Sequence, residues 1–176
     1  GGVSAFNGSL TLTGGTLTGA GNVTVAGNFN WSGGTISGTG QLTTLGTSTL
    51  STTTDKILSA RTWNNNGITN HTAGRLRVEA SSTLNNAVGG TFNVSTGNSA
   101  AITTFSGTGT FNNAGTLNWD TTVAATIDPG NFNNTGLVNV NANNLTLNGA
   151  GTDTGTYDVD ATRTLIFSSG TRNLSA

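Results

Sequence analysis

The chain has 176 residues, a length that suits one domain, with seven acidic and six basic residues and a net charge of −1. This low, balanced charge excludes the electrostatic footprint of a nucleic-acid-binding protein, and no apolar run approaches the roughly 20 residues of a membrane span. The absence of Cys excludes disulfide frameworks and thiolate metal sites.

Threonine, glycine and asparagine dominate the composition, with 36 Thr, 27 Gly and 24 Asn. Threonine favours strands, whereas Gly and Asn tolerate the left-handed backbone that tight turns need. The composition therefore predicts many short strands joined by many turns, with very little helix.

Two phrases recur along the chain at a period near 20 residues. The first phrase has five residues: an apolar residue, a small polar residue, Gly, then either Ala or Thr, and a second Gly. It begins at Leu17, Ile36, Phe105 and Leu147. The second is an aromatic residue or Leu followed by Asn-Asn; it begins at Trp63, Leu84, Phe111 and Phe132. The second phrase is spaced by 21, 27 and 21 residues, which indicates one period with a short insertion in the middle. Such periodicity predicts a repeat architecture whose units cannot bury their apolar faces alone.

Between these phrases lie short segments in which apolar and polar residues alternate, as in half-buried strands. In chain order they cover residues 10–12, 23–25, 76–78, 92–94, 117–119, 138–140 and 145–147, and residues 165–167 follow the pattern imperfectly. Residues 44–60 fit the repeat poorly and are expected to be irregular. A sandwich would need longer strands joined by hairpins. The pattern instead predicts one all-β domain over residues 1–176, a parallel β-solenoid with coils of about 20 residues.

The repeat also predicts which side chains form the core and which form the corners. The expected inward residues are Leu12, Val23, Val25, Phe29, Trp31, Leu76, Val78, Phe92, Leu117, Trp119, Val138, Val140, Leu145 and Phe167. Glycines of the first phrase are expected to form tight corners with positive φ. The Asn-Asn pairs are expected to form corners whose amides bond the next coil as stacked ladders. These residues are Asn64, Asn65, Asn85, Asn86, Asn112, Asn113, Asn133 and Asn134.

The repeats WNNNGITN, FNNAGTLNW and FNNTGLVNV, with GGTLTGAG and GGTISGTG, resemble those of large bacterial surface proteins. These include adhesins of the filamentous-haemagglutinin type and autotransporter passengers. The resemblance implies a right-handed parallel β-helix that is exported to the bacterial cell surface or outside the cell. It also implies a role in adhesion or matrix building.

Few residues suggest chemistry. The seven acids are mostly scattered, and His71, the only histidine, has no acid near it in sequence. Hydrolysis needs converging acids or a nucleophile with its base. The sequence therefore predicts a protein that is not an enzyme and uses no cofactor.

Two charged clusters have both a functional and a simpler interpretation. Asp153, Asp158 and Asp160 could hold Ca²⁺ with their oxygens, or could form a solvated face. A basic patch could bind an acidic glycan or a partner, or could be a bulge that keeps the rod soluble. Its members are Lys56, Arg61, Arg75 and Arg77.

Local Thr-x-Thr triplets raise an alternative function, in which a flat outer face binds glycan or ice. They begin at Thr11, Thr16, Thr47 and Thr52 but do not recur at the 21-residue period. The primary prediction is therefore a non-enzymatic, extracellular structural or adhesive β-solenoid.

The ends of the chain predict its partners. Neither end offers Pro, a helix or a charge cluster to cover the open strand edges. We expect these edges to meet further coils of a longer chain or, in a filament, a second copy stacked head to tail. A glycan or a host surface is a further expected partner.

Overall fold

A computed structural model describes residues 2–175 of the chain, and every regular element in that range is a β-strand. The 25 strands form three parallel sheets, each coil adding one strand to each sheet in turn. The predicted parallel β-solenoid is confirmed. Sheet A has nine strands, so its eight steps of about 4.8 Å give a rod roughly 38 Å long.

The strands are numbered in chain order. Sheet A contains β1 (Val3–Phe6), β4 (Asn22–Val25), β7 (Gln41–Thr44), β10 (Thr62–Asn65), β13 (Thr83–Asn86), β16 (Gly109–Asn113), β19 (Gly130–Asn134), β22 (Gly151–Asp153) and β25 (Arg172–Leu174). Sheet B contains β2 (Leu10–Leu12), β5 (Phe29–Trp31), β8 (Thr47–Leu50), β11 (Ile68–His71), β14 (Thr91–Val94), β17 (Thr116–Trp119), β20 (Leu137–Val140) and β23 (Thr156–Val159). Sheet C contains β3 (Thr16–Leu17), β6 (Gly34–Ser37), β9 (Lys56–Ser59), β12 (Leu76–Glu79), β15 (Ile102–Thr103), β18 (Ala125–Asp128), β21 (Leu145–Leu147) and β24 (Leu165–Phe167).

The register of sheet A follows the repeat read from the sequence. Trp63 pairs with Leu84, Leu84 with Phe111, and Phe111 with Phe132. The middle step therefore spans 111 − 84 = 27 residues, against 21 on either side. Two of the six extra residues lie between β13 and β14, because Asn85 and Asn93 are eight residues apart whereas Asn64 and Asn70 are six apart. The other four lie in the segment 95–108, which we call the insertion.

The glycine phrase forms the corner between sheets C and A, as predicted. Its first glycine adopts a positive φ in all four copies: 130° at Gly19, 92° at Gly38, 70° at Gly107 and 82° at Gly149. A residue with a Cβ is strained in this region of φ, so the corner requires glycine.

Inward side chains form one continuous core, and an aromatic series runs through it. The ring centroids of Trp31 and Trp63 lie 5.9 Å apart, and those of Phe92 and Phe111 lie 5.5 Å apart. Twelve of the fourteen predicted inward residues are buried. Leu12 is only partly buried, and Phe167 is 45% exposed because β24 is an edge strand of sheet C.

Two expectations about local structure are wrong. Residues 44–60 contain β8 and β9 in full, so the irregular part is limited to the turn at 51–55. The Asn-Asn pairs are not turns, because each pair ends a strand of sheet A. Hydrogen bonds between coils outweigh the turn preference of asparagine at these positions. The aromatic or Leu residue before each pair is a core residue.

Candidate functional site

The outer face of sheet A carries a column of asparagine amides, which we call the outer ladder. Asn85 donates from Nδ2 to Oδ1 of Asn64 at 2.8 Å, and Asn112 donates to Asn85 at 2.9 Å. Asn133 continues the series by donating to Asn112 at 2.8 Å. Each amide in the middle of the column uses one donor and one acceptor in the ladder, so polar capacity remains towards solvent.

The second asparagine of each pair points inward and forms the inner ladder. Asn65 donates to Asn86, Asn86 to Asn113 and Asn113 to Asn134, at 2.8, 2.8 and 2.9 Å. In the inner ladder each Nδ2 donates to the asparagine of the following coil, whereas in the outer ladder each Nδ2 donates to the asparagine of the preceding coil. Each inner amide also donates to a backbone carbonyl of the following coil, for example from Asn113 to Leu137 O at 3.1 Å. Both predicted ladders are therefore confirmed.

A third ladder on the outer face of sheet B was missed by the sequence analysis. Asn93 donates to Asn70, Asn118 to Asn93 and Asn139 to Asn118, each at 2.8 Å. None of these asparagines has an asparagine beside it in sequence, so the Asn-Asn phrase does not reveal them. Their signal is the in-register position of Asn in strands β11, β14, β17 and β20.

Threonines stack beside the outer ladder. Thr62 pairs with Thr83, and Thr83 pairs with Thr110. The Thr-x-Thr triplets noted in the sequence do not form such a column: Asn30 separates Thr11 from Thr49 in sheet B. Sheet A thus presents Thr and Asn in parallel rows on an outer face without charged side chains from Thr62 to Asn133.

The predicted basic patch is wrong for two of its four members, because Lys56 and Arg61 are buried. Lys56 points inward and donates from Nζ to three carbonyls, those of Ser51 and Thr52 at 2.8 Å and of Ala73 at 2.7 Å. Burial lowers the pKa of Lys56 to about 8, although the nearby charge of Asp55 acts to raise it. This lysine ties a turn to the next coil and is not available to a partner.

Arg61 is likewise enclosed by backbone. Its guanidinium donates to four carbonyls of the two preceding coils: Ser37 and Gly21 at 2.7 Å, Gln41 at 3.2 Å and Gly19 at 3.3 Å. Desolvation by burial lowers its pKa.

The other two arginines of the patch lie on the outer face of sheet C and are neutralised there. Arg75 forms two hydrogen bonds to Asp55 at 2.8 and 2.9 Å, and Arg77 binds Glu79 at 2.7 Å. The bonds to Asp55 raise the pKa of Arg75. Both guanidinium carbons lie within 5 Å of the ring centroid of Phe105, at 4.8 and 4.6 Å. The sequence analysis named Phe105 only as the first residue of a glycine phrase and not as part of this cluster. Phe105 projects from the insertion and is 57% exposed.

The predicted calcium cluster does not assemble. Asp153 is buried in sheet A and binds Arg172 at 2.8 Å, whereas Asp158 lies in sheet B and is exposed. Asp160 is exposed and accepts bonds from Thr162, which lower its pKa. Within residues 2–175 no group of three or more His, Cys, Asp or Glu is placed to hold a metal ion.

The single histidine is a core residue. His71 is fully buried, with Nε2 3.0 Å from the carbonyl oxygen of Gly74. Burial, and then the charge of Lys56, lowers the pKa of His71 to about 4. The imidazole is therefore neutral at physiological pH and faces no solvent.

Comparison with known proteins identifies no relative: no protein-family model, curated protein or solved structure matches the chain. In the part of the chain that the structure describes, no helix is long and apolar enough to cross a membrane.

Proposed function

We propose that the chain is a non-enzymatic, extracellular structural or adhesive β-solenoid of a bacterial surface protein or fibre. The observation that supports this most is the use of polar side chains to join coils. Three asparagine ladders bond coil to coil along sheets A and B. The amides of these asparagines hold neighbouring coils together, which is a structural use of polar side chains. The resemblance of the repeats to bacterial surface proteins agrees with this role.

The distribution of charge also favours a structural or adhesive role. Several ionic groups are satisfied internally: Lys56 and Arg61 bind carbonyls, and Asp153 pairs with Arg172. The ladder faces consequently carry amides and hydroxyls and little charge. Such faces suit contact with neutral, hydrogen-bonding polymers better than electrostatic capture of ions or nucleic acids.

Surface display tests the proposal. Residues 1–176 would be fused to an outer-membrane anchor in a non-adherent bacterium, with the anchor alone as the control. We expect display to increase attachment to surfaces or cell-to-cell aggregation. Protease-resistant display without any gain in attachment or aggregation would count against it. Release of new reducing ends from a polysaccharide panel by the purified protein would contradict the non-enzymatic part.

A flat glycan- or ice-binding face is the second candidate, supported by the row of Thr62, Thr83 and Thr110 beside the outer ladder. Hydroxyls in this row repeat every 4.8 Å or so, and the neighbouring Asn row lies about 6.6 Å along the strands. Ice binding would be supported if the parent protein shows thermal hysteresis and Thr83→Tyr abolishes it. Thr91→Tyr, on sheet B, is the matched control and should keep the hysteresis. No hysteresis in the parent protein removes ice from consideration, and a glycan array tests the other ligand.

A further inference from the structure

A groove of about 390 Å³ lies on the outer face of sheet C, next to the insertion. Thr126 and Thr146 pair in adjacent coils along its floor, and Asn148 donates to Asp128 at 3.3 Å. Alanine side chains form much of the rest of its wall. Clefts of about 300 Å³ or more with a few convergent polar groups are typical of small-ligand sites.

The groove and the ring of Phe105 flank the same residue of the insertion. Thr103 pairs with Arg77 on one side and with Asp128 on the other. Two coil steps separate Arg77 from Asp128, which places their backbones about 10 Å apart. Because the guanidinium of Arg77 lies over the Phe105 ring, an exposed aromatic platform stands beside a polar groove.

The platform is rigid for an exposed side chain. The backbone N–H of Phe105 donates to Oε1 of Glu79 at 3.2 Å, and Arg77 binds the same carboxylate. Cation–π contacts from both arginines hold the ring, and 57% of Phe105 remains exposed. Little side-chain entropy would be lost if a ligand stacked on it.

Charge decides between classes of ligand. The positive charges of Arg75 and Arg77 are balanced by the negative charges of Asp55 and Glu79. Asp128 adds one acid to the groove, and no basic side chain lines it. Sulfated, phosphorylated or uronic-acid ligands would meet a neutral to negative surface and no free cation.

We propose that the Phe105 ring and the groove together form a binding site for a neutral oligosaccharide. One sugar stacks its apolar C–H face on the ring, and the next offers hydroxyls to the Asp128 carboxylate and the Asn148 amide. A hydroxyl donating to a carboxylate forms a charge-assisted bond, the stronger kind available to a neutral ligand. The proposal rests on the adhesive part of the proposed function and names its ligand class.

Calorimetric titration of the whole 176-residue chain tests the site. The probes are tetrasaccharides of glucose, mannose, galactose and N-acetylglucosamine, with tetragalacturonate and a heparin tetrasaccharide as acidic counterparts. We expect at least one neutral probe to bind and both acidic probes to bind more weakly. Phe105→Ala and Asp128→Asn should each weaken that binding about tenfold.

Val88→Ala is the matched control, since Val88 is an 85% exposed apolar residue on the corner between sheets A and B. It should leave the affinity unchanged, and circular dichroism should show all three variants folded. If Phe105→Ala disturbs the fold, Asp128→Asn, which preserves shape, still decides the matter. Absence of binding by every neutral probe overturns the site, as does binding that neither site variant weakens or that favours the acidic probes.

The display assay separates this proposal from the broader one. If the displayed Phe105→Ala and Asp128→Asn variants promote adhesion as strongly as the parent, the groove is not the adhesion site, and the adhesive function itself still stands. Loss of adhesion in these two variants, with Val88→Ala unaffected, supports both proposals together. Saccharide binding by the parent without any adhesion supports the site and refutes the adhesive role.

Discussion

The inner ladder offers the sharpest test of how the coils are held together, through replacement of Asn113 by alanine. The Asn113 side chain is buried, accepts from Asn86 at 2.8 Å, and donates to Asn134 at 2.9 Å and to Leu137 O at 3.1 Å. Alanine removes all three bonds and leaves buried acceptors without a donor. At about 1 kcal/mol per bond, with a further penalty for unsatisfied groups, we expect a loss of about 3–4 kcal/mol.

Asn112→Ala is the matched control, because the two residues are adjacent in the same strand. Asn112 donates to Asn85 and accepts from Asn133, but it lies on the half-exposed outer ladder. Water replaces the lost partners there, so we expect a cost of about 1 kcal/mol. The two variants remove the same chemical group and differ in the burial of the ladder.

Urea unfolding followed by tryptophan fluorescence measures both variants, since the three tryptophans are buried in the core. Because stacked coils can unfold in stages, the slope of each transition is compared before its midpoint is interpreted. With slopes of about 1–3 kcal/mol per M, Asn113→Ala should lower the midpoint by roughly 1–4 M. Equal midpoints for the two variants, or a loss below about 1 kcal/mol for Asn113→Ala, would refute this account of the ladder.

Three further predictions concern the buried basic groups. The pKa of His71 is lowered from 6.5 to about 4. Between these pH values the unfolded chain binds more protons than the folded chain, so the stability should fall as the pH drops from 6.5 to 4. The urea midpoint of His71→Gln should not show this fall. The pKa of Lys56 is lowered from 10.5 to about 8, so the stability should rise as the pH increases from 8 to 10.5. The rise should be absent in Lys56→Met. If Lys56→Met shows the same pH profile as the parent, Lys56 is not the group responsible. Arg61→Lys keeps the charge but cannot reach four carbonyls, so it should cost about 2–4 kcal/mol in thermal or urea melts, whereas exposed Arg163→Lys should cost under about 0.5 kcal/mol.

Features that repeat in every coil could be predicted from the sequence because a parallel solenoid places equivalent residues in register. The glycine corners follow from this rule, since the same backbone bend recurs at Gly19, Gly38 and Gly149. The asparagine ladders follow too, since an amide can donate to its own copy one coil away. Their placement in turns was wrong because an isolated Asn favours turns, whereas a stacked Asn gains a bond at every step of the strand.

The burial of Arg61 could not be predicted from its residue type, because charged side chains are usually exposed. Its enclosure depends on the register between coils. Thr62 pairs with Gln41, so Arg61 lies level with Gly40. A Cβ on Gly40 would clash first with the carbonyl of Gly21 and would also lie 2.9 Å from the guanidinium, so glycine leaves room for both the adjacent coil and the arginine. The detectable signal was an arginine at a position that is glycine in the preceding coil.

Ligand specificity on such a rod should lie where the repeat is interrupted. A residue in a ladder or the core is constrained by its copies above and below, so changing it to suit a ligand costs stability in two coils at once. Phe105 escapes that constraint, because it lies outside β15 and its ring contacts Arg75 and Arg77 rather than an equivalent residue of an adjacent coil. Periodicity misplaced Phe105, because the glycine phrase aligns it with the buried Ile36 and Leu147, whereas Phe105 is 57% exposed. The repeat thus supplies length and rigidity, and the part of the insertion that lies outside the core strand β15 can vary the surface without loosening the rod.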